Sequence, residues 1–220
     1  MSQPLPPKKA IIFDMDGTLV DTFDDMAKAI NLARETYDLP PLPVPDVKCH
    51  VGDGVAPLVL KTIPASNNGP EALEDAIGRY RKFYKADFLN KTHAYPGVEE
   101  VLAHYADRPK AVISNKSVWF VEQVLEGLGL KKHFVYVAGG DTLAEKKPHP
   151  MTIEAFLTQA GLGADDVVMV GDGVNDVRVG KAAGVHTVGV TWGVSTPEMV
   201  VAEAPDRIIH AMPELMALVP

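Results

Sequence analysis

The sequence predicts an α/β fold with a parallel β-sheet core and an all-helical domain inserted after the first strand. Short apolar runs of strand length alternate with segments whose apolar residues recur every three or four positions. Between residues 21 and 91 only helical patterns occur, and the alternation resumes after Pro96 and Gly97. We therefore expect a catalytic core of residues 1–20 and 92–220 and an inserted helical domain of residues 21–91.

Composition narrows the classes of protein. Among 220 residues, 46% are hydrophobic, which supports a buried core. The net charge of −8 argues against nucleic acid as a partner. The single cysteine, Cys49, fits a reducing compartment. Met1–Lys9 does not read as a signal peptide, and the sequence contains no apolar run of about 18 residues that would span a membrane. We expect a cytoplasmic protein with no membrane partner.

The first strand, Ala10–Phe13, is followed at once by two carboxylates, Asp14 and Asp16. Side chains two residues apart in extended chain share a face, and Gly17 then breaks the strand. Both acids should lie at the carboxyl end of the strand, where open α/β sheets bind ligands. Two neighbouring carboxylates repel each other and favour a hard cation such as Mg²⁺ between them.

The inserted domain is expected to contain helices over Asp21–Tyr37, Val55–Ile63 and Glu71–Phe88, with a proline-rich loop over Leu39–Pro45. Glycines flank Asp53 just before the second of these helices, so their amides could bind an anion. Candidate substrate-binding residues in this loop are Lys48, His50, Gly52 and Gly54.

Polar side chains also follow later strands of the core. The strand Lys110–Ile113 leads into Ser114, Asn115 and Lys116, a hydroxyl, an amide and an amine that are suited to phosphate. A strand over His133–Ala138 precedes the turn Gly139-Gly140-Asp141 and then Lys147, which stands directly before Pro148. The strand Asp166–Val170 runs into Asp172 and Asp176, a helix is expected over Val177–Ala183, and the strands Val185–Val190 and Pro205–Ile209 close the fold.

Four of these segments together resemble the signatures of the haloacid dehalogenase superfamily of phosphatases. The first signature matches Asp14-Met15-Asp16-Gly17-Thr18-Leu19, the second matches Ser114 at a strand end, and the third matches Lys147-Pro148-His149-Pro150. The fourth matches Gly171-Asp172 with Asp176 four positions further on. The resemblance covers nearly the whole chain and implies a Rossmann-like core with an inserted helical cap.

The resemblance also implies roles for these residues. Asp14 would be the nucleophile that forms an aspartyl-phosphate, and Asp16 would be the general acid and base. Mg²⁺ would be held by Asp14, Asp172 and the backbone carbonyl of Asp16. Lys147, braced by Asp176 from the second shell, would offset the negative charge. The substrate-binding residues in the core would be Ser114, Asn115 and Thr18.

Within the superfamily the chain is most similar to phosphoglycolate phosphatases, through Asp-Gly-Thr-Leu-Val-Asp, Gly139-Gly140-Asp141 and Thr191-Trp192-Gly193. It departs from them at Lys48, where relatives often carry arginine. The expected partner is a small phosphorylated metabolite bound by a monomer or homodimer. Alternatives are another sugar-phosphate phosphatase, a pyrophosphatase, a β-phosphoglucomutase-like mutase or a phospho-accepting receiver module, although receivers lack such an insert.

Overall fold

The structure, a computed structural model, describes residues 3–220. Residues 1 and 2, the start of the N-terminal segment discussed above, lie outside the described residues. The chain forms two compact units, one made of the residues up to Val20 together with Ala94–Pro220, and one made of Asp21–His93. We refer to them as the core unit and the inserted unit. The inserted unit begins at the residue expected from the sequence and ends two residues later.

Eight β-strands are described between residues 3 and 220. They are β1 (Ala10–Phe13), β2 (Val20–Asp21), β3 (His93–Ala94), β4 (Lys110–Ile113), β5 (Tyr136–Ala138), β6 (Val167–Gly171), β7 (His186–Val190) and β8 (Arg207–Ile209). Six of them form one sheet in the order β5-β4-β1-β6-β7-β8, in which every neighbouring pair is parallel. The short strands β2 and β3 pair where the chain passes between the units. The predicted α/β fold with a parallel sheet is confirmed.

The strand order places the first strand in the middle of the sheet. From β1 the chain builds outward on one side through β4 and β5, then returns and builds outward on the other side through β6, β7 and β8. Phe13 at the end of β1 is level with Val112 on one neighbour and Val170 on the other. The loops that follow β1, β4 and β6 therefore meet at one edge, at the point where the winding reverses and where α/β proteins bind ligands.

The apolar character of the strands explains their position. Every residue of β1, β4 and β6 is buried, as expected for parallel strands that have helices against them. One cluster of buried residues joins these strands to helices of the core unit and consists of Ala10, Ile12, Ala111, Ile113, Ala138, Ile153, Phe156, Val167, Met169, Val179 and Val185.

Ten α-helices are described in the same residues. They are α1 (Phe23–Glu35), α2 (Val44–Lys48), α3 (Val55–Thr62), α4 (Pro70–Ala86), α5 (Val98–His104), α6 (Val118–Gly127), α7 (Met151–Ala160), α8 (Val174–Ala182), α9 (Pro197–Ala202) and α10 (Glu214–Leu218). None of the helices in the described part of the chain is long and apolar enough to cross a membrane.

Several element bounds differ from the sequence expectation. The expected loop Leu39–Pro45 ends at Pro43, because α2 begins at Val44; Pro45 lies in its first turn, where a missing N–H costs no helical hydrogen bond. The expected strand over His133–Ala138 begins only at Tyr136, because residues 131–133 form a 3₁₀ turn. Helix α8 begins at Val174 instead of Val177, so Asp176 belongs to its first turn.

The inserted unit contains α1 to α4 and is tied together by buried polar groups. The Asp25 carboxylate accepts hydrogen bonds from the backbone N–H groups of Lys91 and Thr92 at 2.9–3.1 Å, and from the Thr92 hydroxyl at 2.8 Å. Arg34, which is also buried, donates to the carbonyls of Pro40 and Thr62. These contacts fix both ends of the insert and the loop after α1 within one unit.

Candidate active site

Asp14 directly follows β1 and its side chain is held by a lysine from a distant loop. The Asp14 N–H donates to the Val170 carbonyl at 2.9 Å, so the residue continues the pairing between β1 and β6. The Lys147 ammonium donates to Asp14 Oδ1 at 2.7 Å and to Asp176 Oδ1 at 2.6 Å. The structure thus brings together three residues that the sequence singled out separately.

A group of three buried carboxylates lies at this edge. Oxygen atoms of Asp14, Asp172 and Asp176 lie within 4.8 Å of one another. Asp172 comes directly after β6, while Asp176 comes from the first turn of α8. Asp176 also accepts from the Gly173 N–H at 2.8 Å, which closes the start of that helix and fixes the carboxylate.

Neighbouring loops hold the Asp172 side chain in place. The Thr18 hydroxyl donates to Asp172 Oδ1 at 2.8 Å, and the Val194 N–H donates to Oδ2 at 2.6 Å. A Cβ at Gly17 would lie 2.5 Å from Oδ2, and one at Gly193 only 2.1 Å from it. Only glycine therefore fits at these two positions beside the carboxylate.

Thr18, which is predicted to bind substrate, has a contact within the site. Its side chain is buried and its hydroxyl donates the hydrogen bond to Asp172. Thr18 thus positions Asp172, and its contact with substrate stays a prediction.

Burial and mutual repulsion disturb the acid–base properties of the cluster. Burial raises the pKa of Asp14 well above its ordinary value, against the attraction of Lys147, and the charges of Asp176 and Asp172 raise it further. Burial, assisted by the charge of Asp176, raises the pKa of Asp172 to about 7. Burial alone would lower the pKa of Lys147, but the charges of Asp14 and Asp176 outweigh it and raise the pKa. Burial and the neighbouring carboxylates thus disfavour the ionised forms of Asp14 and Asp172, and Lys147 does not fully offset this.

These residues fit a divalent metal ion. Carboxylate oxygens are the ligands that Mg²⁺ prefers. Burial and the neighbouring carboxylates raise the pKa values of Asp14 and Asp172, so a nearby positive charge would stabilise their ionised forms. A cation bound by Asp14 and Asp172 would supply that charge. Asp176 lies close to the same position and accepts a hydrogen bond from Lys147.

The loop after β4 lies at the same edge and contains the predicted Ser114 and Asn115. Both side chains are largely buried. The Asn115 side-chain amide donates to the Lys147 carbonyl at 3.0 Å, so this loop is joined to the loop that carries the active-site lysine. The Ser114 hydroxyl accepts from the Lys116 N–H at 3.3 Å. Asn115 therefore has a bracing contact in addition to its predicted contact with substrate.

Lys116, to which the sequence assigned no role of its own, is also a member of the site. Its Nζ lies 3.0 Å from both carboxylate oxygens of Asp16, and both side chains are only 8% exposed. Its amine stands in the sequence directly after Ser114 and Asn115 at the end of a strand, and this position is the feature that could have identified Lys116 as a site residue. Nothing in the sequence paired it with Asp16, which lies in a loop after another strand.

The turn Gly139-Gly140-Asp141, one of the segments that resemble phosphoglycolate phosphatases, packs directly on the loop after β4. The Gly140 N–H donates to the Lys116 carbonyl at 2.8 Å. The Asp141 carboxylate accepts from the Ser117 hydroxyl at 2.6 Å and from the Val118 N–H at 2.8 Å, which caps the start of α6. The turn therefore fixes the backbone from which Ser114 and Lys116 project.

The remaining candidates belong to the inserted unit and form their own group. Lys48 ends α2, and its Nζ lies 4.5 Å from the centre of the Phe23 ring. His50 follows in the loop, where its N–H donates to the Val47 carbonyl. Gly52 and Gly54 both have positive φ, and Gly54 immediately precedes α3.

The fold and the site define a class: an α/β enzyme core that combines a nucleophile-like aspartate, a buried lysine and a carboxylate cluster at the switch point of a parallel sheet. A family model described as haloacid dehalogenase-like hydrolase matches residues 11–190. The chain belongs to this family, which confirms the resemblance inferred from the four signatures and the prediction of a hydrolase.

Individual relatives agree with this assignment. The chain is 36% identical over 214 residues to a protein from Chromobacterium violaceum named phosphoglycolate phosphatase, with 94% of this chain and 96% of the relative covered. A protein of the same name from Neisseria gonorrhoeae is 35% identical over 215 residues, with 94% and 91% covered. The crystal structure of a predicted phosphoglycolate phosphatase from Haemophilus somnus superposes with a TM-score of 0.91 at 27% identity, covering 97% of this chain and 98% of that one.

Proposed function

We propose that the chain is a Mg²⁺-dependent phosphomonoesterase that acts on a small phosphorylated metabolite, with 2-phosphoglycolate as its preferred substrate. The observation that carries the proposal is the buried contact of Asp14 with Lys147, next to the carboxylates of Asp172 and Asp176. The names of the relatives support the choice of substrate.

In the proposed reaction the Asp14 carboxylate attacks phosphorus. A bond forms between an Asp14 oxygen and phosphorus while the ester bond breaks, and the electron pair leaves with the substrate oxygen. Lys147 supports this step because its ammonium binds Asp14 Oδ1, orients the carboxylate and favours its ionised form. Asp176 accepts a second hydrogen bond from the same ammonium and thereby fixes the position of Lys147.

Asp16 is proposed as the general acid and base. In its protonated form Asp16 would donate a proton to the departing oxygen. The resulting carboxylate would later take a proton from the water that attacks the aspartyl-phosphate, which releases inorganic phosphate and restores both Asp14 and protonated Asp16. Help of this kind contributes about 10²- to 10⁴-fold to the rate. Asp16 follows Asp14 by two residues at the end of β1, so one strand end would supply both groups.

The metal and the loop after β4 complete the proposal. Mg²⁺ held by Asp14, Asp172 and the Asp16 carbonyl would neutralise the charge repulsion between carboxylate and phosphate. Ser114 and the Asn115 N–H are proposed to bind the phosphoryl oxygens.

In the inserted unit, Lys48, His50 and the amides of Gly52 and Gly54 are proposed as substrate contacts. The free, exposed Cys49 is compatible with the proposed cytoplasmic location.

A substrate panel with Asp14→Asn tests this function. Wild-type protein with Mg²⁺ should release phosphate from 2-phosphoglycolate faster than from sugar phosphates or pyrophosphate, and excess chelator should stop the release. Asp14→Asn removes the nucleophile and should lower kcat below about a hundredth of wild type while the circular dichroism spectrum is unchanged. A variant that keeps most of its activity with the same metal content contradicts the role of Asp14.

The panel also separates the alternatives. Preference for pyrophosphate or a hexose phosphate would assign a different substrate to the same chemistry. Isomerisation of a sugar phosphate that needs a bisphosphate activator, without net phosphate release, would identify a mutase.

A further inference from the structure

We propose that Lys116 binds the anionic group on the leaving-group side of the substrate, which in 2-phosphoglycolate is the carboxylate. Lys116 thereby becomes a residue of the core unit that determines specificity. The proposal rests on the proposed function, because it takes Asp16 as the group that donates a proton to the leaving oxygen.

The first observation is the position of the Lys116 ammonium. It lies 3.0 Å from both oxygens of the Asp16 carboxylate. A proton donor must come within about 3 Å of the leaving oxygen, so Lys116 Nζ lies within two hydrogen-bond lengths, about 6 Å, of that oxygen. In 2-phosphoglycolate a single methylene separates the ester oxygen from the carboxylate carbon. The substrate carboxylate would therefore lie close to the Lys116 ammonium.

The second observation is that the backbone of Lys116 is fixed while its side chain is long. The Gly140 N–H donates to the Lys116 carbonyl, and a Cβ at Gly139 would lie 2.6 Å from that carbonyl oxygen, so the two segments are in direct backbone contact. A lysine side chain has four methylene groups and three N–H donors on its ammonium. Rotation about the bonds of this side chain lets the ammonium turn toward a second carboxylate while the backbone of the loop stays in place.

The third observation concerns charge. The site contains four carboxylates and two ammonium groups, which gives a formal charge of −2 when all are ionised: Asp14, Asp16, Asp172, Asp176, Lys116 and Lys147. A divalent cation brings the sum to zero, or to +1 when Asp16 holds the proton that it donates, so the net charge attracts an anionic substrate only weakly and a specific donor is needed.

Of the two lysines, Lys116 is the better donor for the substrate. Lys147 bridges two carboxylates of the metal-capable cluster and its side chain is only 3% exposed. Lys116 pairs with Asp16, whose carboxylate lies outside that cluster, and its side chain is more exposed at 8%. The leaving-group end of an entering substrate therefore meets Lys116.

The test compares two substrates that differ only at this end. Ethyl phosphate carries a methyl group where 2-phosphoglycolate carries its carboxylate. We measure kcat/KM for both in wild type, Lys116→Met, Lys116→Arg and the control Lys146→Met, which removes an exposed lysine one residue before Lys147. The quantity of interest is the ratio of the two kcat/KM values, because any effect of the substitution on Asp16 or on the phosphoryl group is common to both substrates and divides out.

We expect Lys116→Met to lower this ratio about 10- to 100-fold, the loss typical of a hydrogen bond between charged groups. Lys116→Arg should keep most of the ratio because it keeps the charge, and Lys146→Met should leave it unchanged. If Lys116→Met does not fold, Lys116→Gln, which retains a donor without the charge, is measured in its place.

An equal fall for both substrates in Lys116→Met would overturn the proposal and assign Lys116 to the phosphoryl group or to Asp16. An equal change in Lys146→Met would also overturn it, since the effect would then be general electrostatics. Wild type that hydrolyses both substrates without preference refutes carboxylate binding but leaves the phosphatase function standing. Wild type that hydrolyses neither refutes the proposed function, and the Lys116 proposal falls with it.

Discussion

In the metal-free protein the contribution of Asp172 to stability should fall as pH rises, because Asp172 is buried beside Asp176 and its pKa is raised to about 7. In the unfolded chain an aspartate ionises near pH 4. Below that pH Asp172 is protonated in both states, and its contribution to stability is fully present. As pH rises toward 7 the unfolded chain releases this proton first, so the free energy of unfolding decreases until Asp172 ionises in the folded state as well.

The size of the effect follows from the difference between the two pKa values. The shift from 3.8 to about 7 spans roughly three units, and each unit is about 1.4 kcal/mol, so the loss approaches about 4 kcal/mol. For a protein of this size each kcal/mol changes Tm by about 2–4 °C, which predicts a decrease on the order of 10 °C. A bound cation opposes the decrease, adding about 2.7 kcal/mol at a concentration 100 times its Kd.

The assay is thermal unfolding followed by circular dichroism from pH 4.5 to 8, with chelator or with Mg²⁺. Because other carboxylates also titrate, the informative quantity is the difference between wild type and Asp172→Asn, which has no charge to bury. Glu154→Gln, the loss of an exposed carboxylate in the same unit, is the matched control and should behave as wild type. Mg²⁺ should raise the Tm of wild type more at pH 7.5 than at pH 5. The increase in Tm that Mg²⁺ causes should be smaller in Asp172→Asn than in wild type. The same pH slope in wild type and Asp172→Asn would refute the reasoning.

Two further substitutions test the parts that support the site. Gly193→Ala would place a Cβ 2.1 Å from Asp172 Oδ2 and should lower both Mg²⁺ affinity and kcat at least about tenfold. The control is Gly78→Ala in α4, whose Cβ meets nothing within 4 Å and which should have wild-type values in the same titration. Equal behaviour of the two variants would contradict the packing argument. Asp141→Ala removes the acceptor for Ser117 and Val118 and should cost about 1 kcal/mol of stability and reduce kcat/KM. Asp141→Asn, which keeps one oxygen, should recover part of both in unfolding and rate measurements, and no recovery would argue against that hydrogen bond.

The family assignment depended on short motifs that local sequence determines. Asp14 and Asp172 each stand directly after an apolar run of strand length, and a strand end is a local property that periodicity and glycine breaks reveal. The inserted unit was visible for the same reason, since the helical periodicity between residues 21 and 91 differs from the alternation on either side. The proline after Lys147 favoured this residue over Lys146 without deciding between them, and the structure places Lys147 against Asp14.

Which distant groups touch was decided only by the tertiary structure. Lys116 and Asp16 are 100 residues apart and meet because β4 lies beside β1 in the sheet. Thr18 and Val194 bind the two oxygens of Asp172 because the loops after β1, β6 and β7 converge at one edge. The sequence revealed the six strands of the main sheet and where they end, but not the order in which they pair. Since that order sets which loops become neighbours, the sequence by itself determined the reactive groups, and the folded sheet determined their partners.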